Sequence, residues 1–164
     1  MTGPLEGVKV LDLTSVLLGP YATQIMGDLG ADVIKIESPA GDTTRQTGVE
    51  RNPGMASFFL IANRNKRSLV LDLKKEAAKE ALWRLIDTAD VFIHAIRPKA
   101  IRRLGFGPEA VLARNPRIVY AGVHGFKEDG PYDNRPAYDD IIQAGSGLSA
   151  LSLIHISEPT RRIL

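Results

Sequence analysis

The stretch that most restricts the fold is the first, Gly7-Val8-Lys9-Val10-Leu11-Asp12-Leu13-Thr14-Ser15-Val16-Leu17-Leu18-Gly19-Pro20, which runs through Gly27 and Gly30 into Ala31-Asp32-Val33-Ile34-Lys35-Ile36-Glu37. Val8, Val10, Leu11 and Leu13 form a short apolar run of the kind that fills a buried strand. Pro20 suits the first turn of a helix and Gly30 suits its end. Val33 to Ile36 reads as a second strand. Strand, helix and strand within about 30 residues make a βαβ unit, whose strands lie parallel. Ligands bind such sheets at the carboxyl ends of the strands, which directs attention to Thr14 to Gly19 and Glu37 to Asp42.

The rest of the chain continues the pattern. Ser38 to Asn52 is polar and reads as a long loop, and Met55 to Ala62 as a short helix. Ser68 to Leu73 alternates as a strand with Leu69, Leu71 and Leu73 on one face, its direction left open. Lys75 to Asp87 is a clear amphipathic helix, with Ala78, Ala81, Leu82, Leu85 and Ile86 on one side, a Glu80–Arg84 pair on the other, and Trp83 expected in packing. Ala89 to Ile93 is a buried strand. Lys99 to Leu104 and Pro108 to Arg114 are short helices, the second stopped by Asn115-Pro116. Ile118 to Val123 is a strand, Lys127 to Pro136 a turn region, and Tyr138 to Ala150 a helix. This order predicts an α/β fold with a doubly wound, mostly parallel, Rossmann-like sheet.

Several function classes lose ground at once. A net charge of +2 gives no case for nucleic acid or an anionic membrane. Without cysteine there is no disulfide, thiolate metal site or cysteine nucleophile, which permits a reducing compartment, and no apolar stretch reads as a signal peptide or membrane span; the expected location is cytoplasmic. The dinucleotide, phosphate-loop, zinc-protease and nucleophile-elbow motifs are absent. His94, His124 and His155 lack metal spacing, although His94 and His124 end successive predicted strands, where either could line the crevice. Cations cluster at Arg64, Lys66 and Arg67 and again at Arg97, Lys99, Arg102 and Arg103, a pattern that one small polyanion would suit.

The opening segment resembles the amino-terminal signature of the class III coenzyme A transferases of the CaiB/BaiF type. Further matches are Asn63-Arg64-Asn65-Lys66-Arg67-Ser68, Leu71-Asp72-Leu73-Lys74, Ala89-Asp90-Val91, Arg97-Pro98, Arg103-Leu104-Gly105, Asn115-Pro116-Arg117, Gly130-Pro131-Tyr132 and Arg135-Pro136-Ala137-Tyr138-Asp139. Coenzyme A carries a 3′-phosphate, a pyrophosphate, an adenine and a pantetheine arm, so its site needs cations, backbone donors and an apolar trough. Carried over by motif, the resemblance implies that Leu17 and Leu18 meet the coenzyme through their backbone, while Ser38 stands where some relatives have arginine. It further implies that Leu71, Asp72, Leu73 and Lys74 flank the adenine. The resemblance also sets Ala95, Ile96 and Arg97 where relatives commonly read N-F-R/G, with departures at Ala95 and Ile96, and implies a phosphate contact for Arg103 and a later coenzyme-facing turn for Arg135 to Tyr138.

The same resemblance implies coenzyme A or its acyl thioester as substrate, no metal, a carboxylic acid as acceptor, and interlinked homodimers. Its chemistry uses an aspartate that attacks the thioester; that residue lies beyond the matching region, so the catalytic residue of this chain is unknown. In the family's α-methylacyl-CoA racemases a histidine base stands at the place of Tyr138, and tyrosine is poorly suited to that work at neutral pH. The readings left open are the amino-terminal part of a CoA-transferase, a racemase or carnitine-type dehydratase relative, and a non-catalytic CoA-binding or inert fragment. Residues 1–151 are expected to form the amino-terminal part of the family's large domain. Residues 152–164 resemble a translated library adapter and are set apart from it, so that the chain would be a fragment without activity of its own.

Overall fold

A computed structural model describes residues 3–133 and 135–148, and the chain divides into two units after Val123. In the first unit, Lys9–Leu13 forms β1 because Val10, Leu11 and Leu13 are apolar on both faces of a strand that is covered on both. Leu18–Asp28 forms α1, with Pro20 in its opening turn. Gly19 is required there, since a Cβ would stand 2.4 Å from the Thr14 side chain. Asp32–Glu37 is β2, followed by a 3-10 turn over Thr43–Gln46, helix α2 at Ser57–Asn63 and strand β3 at Lys66–Val70. Glu76–Ile86 is α3 and Val91–His94 is β4.

Helix α4, Pro98–Leu104, starts on proline and stops at Gly105, whose φ of 96° is the left-handed conformation that ends helices. Helix α5, Pro108–Arg114, and strand β5, Val119–Gly122, complete the unit. The strand order is β3-β2-β1-β4-β5 and every pairing is parallel, with Val10 opposite both Val33 and Val91. This is the α/β architecture expected from the sequence. Alternate strand residues feed two separate clusters. Leu11, Leu13, Ile36 and Phe92 pack with Leu82, Ile86, Ile101, Phe106, Val111 and Ile118, while Val10, Val33 and Ile93 pack with Ala31 and Met26. Trp83 packs, as expected, with its ring 4.9 Å from that of Phe106.

Three expectations need correction. The third strand covers Lys66–Val70 rather than Ser68 to Leu73, and it runs parallel to β2 because the turn and α2 carry the chain back across the sheet. Leu71 and Leu73 therefore lie beyond the strand. The loop expected over Ser38 to Asn52 contains the Thr43–Gln46 turn, capped by the Asp42 side chain. In the second unit, helix α6 covers Asp139–Gly145, starting one residue after the expected Tyr138. The end expected for it at Ala150, and the tail from 152 to 164, lie outside the described residues.

Candidate functional site

The carboxyl ends of β1, β2 and β3 open onto a cleft of about 390 Å³. Leu13, Thr14 and Ser15 line it from the turn after β1, and Ile36, Glu37, Ser38, Gly41, Asp42 and Thr43 from the end of β2 and its loop. The segment after β3 adds Leu71, Asp72, Leu73 and Lys74; Ile96 and Leu104 close it from beyond β4. The result is an apolar trough edged with hydroxyls, carboxylates and one ammonium group.

Beneath this trough lies a set of buried ion pairs. The Asp12 carboxylate accepts from the Thr14 backbone N–H at 2.9 Å, from the Thr23 hydroxyl at 2.6 Å and from Lys66 Nζ at 2.9 Å. Lys66 also donates to the Pro20 carbonyl and to Asn63 Oδ1, which ties the start of α1 and the end of α2 to the strand ends. Arg45 grips Glu37 through two donors at 2.8 and 2.6 Å, and Ser68 of β3 donates to the same carboxylate. Burial pushes the carboxyls of Asp12, Glu37 and Asp42 up. Lys66 and Lys35 for Asp12, Arg45 and Ser68 for Glu37, and Thr44 and Lys35 for Asp42 more than reverse it, so all three stay below the ordinary carboxylate range. Burial is also what lowers the Lys66 ammonium, against the pull of Asp12.

Of the residues singled out from sequence, Ser38, Leu71, Asp72, Leu73, Lys74 and Ile96 line this one cleft. Ala95 and Arg97 flank Ile96 and are exposed, Arg97 standing immediately before α4. Arg103 is an exposed residue of α4 next to Leu104. Leu17 and Leu18 open α1 and are exposed, outside the lining. Arg135 and Tyr138 belong to the second unit, where both are exposed and Tyr138 precedes α6. His94 does not line the cleft: its ring is buried between Phe92 and Tyr120, at 5.9 and 5.2 Å.

The basic clusters divide in a way that charge alone did not show. Lys66 is consumed internally by Asp12, Arg64 pairs with Asp28, Arg67 with Asp32 and Arg102 with Glu109. Arg97, Lys99 and Arg103 have no carboxylate partner among the described residues, and neither does Lys74. Leu13, Ile36, Thr43 and Leu104 were not singled out; the strand-end rule was the available signal for Leu13 and Ile36. Among the described residues no group of three or more His, Cys, Asp or Glu side chains could hold a metal, and no helix is long and apolar enough to cross a membrane.

A parallel sheet in this order, with a mixed cleft over its strand ends, is the frame of a ligand-binding α/β domain. The family model described as CoA-transferase family III matches residues 5–162, and the chain belongs to that family. It is 42% identical over 148 residues to the probable fatty acyl-CoA transferase Rv3272 of Mycobacterium tuberculosis, covering 89% of this chain and 38% of that protein. The solved structure of Rv3272 superposes with a TM-score of 0.84 at 40% identity, covering 98% of this chain and 43% of the other. Formyl-CoA:oxalate CoA-transferase of Streptomyces avermitilis is 45% identical over 147 residues, 90% of this chain and 36% of its own length. A CaiB/BaiF family protein from Brucella suis superposes with a TM-score of 0.84 at 39% identity, over 90% of this chain and 40% of that one. The chain thus spans about two fifths of the length of the relatives it matches.

Proposed function

We propose that this chain supplies the coenzyme-binding part of a cytoplasmic, homodimeric enzyme that moves coenzyme A from an acyl thioester to a carboxylic acid. The observation that carries the reading is the cleft itself. Its apolar floor of Leu13, Ile36, Leu71, Leu73, Ile96 and Leu104 suits an adenine and a pantetheine arm, and Lys74 stands at its edge. Arg97, Lys99 and Arg103, without a carboxylate partner among the described residues, supply charge for phosphates from the start and body of α4, the helix that also contributes Leu104. Leu17, Leu18 and Ala95 are assigned backbone contacts, Ser38 a polar contact, and Asp72 the adenine edge. The acceptor is proposed to be a small carboxylic acid, as the name of the Streptomyces relative indicates for that enzyme. Tyr138 supports transfer over racemisation.

The carboxylate that attacks the thioester is assigned to the length of the relatives that this chain does not span, so the chain alone is proposed to bind without turning over. Titration calorimetry of the 164-residue chain with coenzyme A and with adenosine 3′,5′-bisphosphate tests this. Both ligands should bind, Leu71→Asp should weaken both by about tenfold, and an acyl-CoA with a free acid should give no exchanged thioester. Absence of binding by either ligand would sink the proposal.

A further inference from the structure

Lys35 sits in the opening motif, yet its ammonium cannot reach a ligand: its side chain and that of Asp42 are each 1% exposed. Its Nζ donates to the Thr14 carbonyl at 3.0 Å and lies 2.9 Å from Asp42 Oδ2. The other Asp42 oxygen accepts from the Thr44 backbone N–H at 3.0 Å, the Thr44 hydroxyl at 2.7 Å and the Val16 N–H at 3.4 Å. Thr14 and Asp42 both line the cleft, one from the turn after β1 and one from the loop after β2. We infer that Lys35 is a positioning residue which, through Asp42, ties these two walls together and sets the width of the cleft.

One general rule and one observation support this over a role in stability alone. A buried ion pair can be replaced by apolar side chains of similar volume at little or no loss of stability, so what the charges add here is direction toward fixed atoms. Val16, beside the tether, has a φ of 69°, a left-handed conformation that a β-branched residue adopts only when its surroundings impose it. The Asp42 contact with its N–H is one such imposition. The inference rests on the reading that this cleft takes coenzyme A.

Three variants of the 164-residue chain test it: Asp42→Asn, Lys35→Met and the double substitution. Each is followed by coenzyme A affinity, by urea midpoint and by amide exchange at Val16 and Thr44. Asp42→Asn keeps an acceptor for Thr44 and Val16 but should weaken coenzyme A by about tenfold. Lys35→Met should lower the midpoint, because it leaves a buried carboxylate without its cation. The double variant should regain most of the midpoint while its affinity stays as weak as in Asp42→Asn and its Val16 and Thr44 amides exchange faster than in the wild type. Val111→Ala, which weakens the fold at the β5 side, should leave affinity unchanged. Recovery of affinity together with midpoint in the double variant, or wild-type affinity in Asp42→Asn, would overturn the inference. If the wild-type chain does not bind coenzyme A, the proposed function fails, and the tether stands or falls on whether those two amides exchange faster in the double variant.

Discussion

On one side of β1, the ends of β1, β2 and β3 bury Asp12, Lys35, Glu37, Asp42 and the ammonium of Lys66. On the other, β4 and β5 carry Phe92, His94 and Tyr120 beside Ile101, Phe106, Val111 and Ile118. Both sides are parallel strands joined by helices. The aromatic side draws its stability from area removed from water, about 1.5–3 kcal/mol for each large side chain fully buried. The charged side gains little net free energy, since desolvation offsets most of the attraction within each pair. It gains defined positions for the loops that line the cleft. Stability and site geometry are thus concentrated in different parts of one sheet.

Phe106→Ala should give the largest effect, a loss of about 3–5 kcal/mol in urea unfolding, because the ring is fully buried against Trp83. Coenzyme A affinity of the fraction that remains folded should be unchanged; a selective loss of affinity would erase the division between the two sides. Lys66→Met should come next, at about 3 kcal/mol near neutral pH, and unlike Phe106→Ala its cost should depend on pH. The wild-type Asp12 carboxyl is held below 3.8, so its contribution is present above that value and lost as the pH falls through the depressed one. In the variant the carboxylate has lost its nearest cation and is relieved by protonation. The gap between the two proteins should therefore narrow in acid, and a gap constant from pH 7 to pH 3 would show that the pair acts by packing alone. Arg84→Ala should cost less than about 0.5 kcal/mol, since its pair with Glu80 is exposed on both partners.

Periodicity and punctuation made most of the scaffold legible. The run from Val10 to Leu13 and the stripe of Leu82 and Ile86 are properties of neighbouring residues, as are Pro108 at the start of α5 and Asn115-Pro116 at its end. The third strand was misplaced because Leu69, Leu71 and Leu73 alternate like strand residues, while Leu71 and Leu73 lie past the end of β3, where they line the cleft and pack against the core beside it. The site was half legible: motif resemblance pointed to Ser38, Leu71 to Lys74 and Ile96. Lys66 was grouped with ligand cations because a sequence shows a charge but not the carboxylate of Asp12, which stands 54 positions earlier and meets it only after folding. Thr43 was hidden for the same reason, in a polar loop whose course is set by contacts with Asp42 and Glu37.

The central place of β1 has a consequence for synthesis. Val10 has its neighbour Val33 early, but its other neighbour, Val91, is made roughly eighty residues later. At about 5–20 residues per second, the nascent chain carries the central strand of its sheet with one hydrogen-bonding edge open for several seconds. During that interval a ribosome-bound intermediate leaves open an edge of the kind that strand-to-strand aggregation uses, so slower translation between β2 and β4 is expected to lower the yield of folded protein.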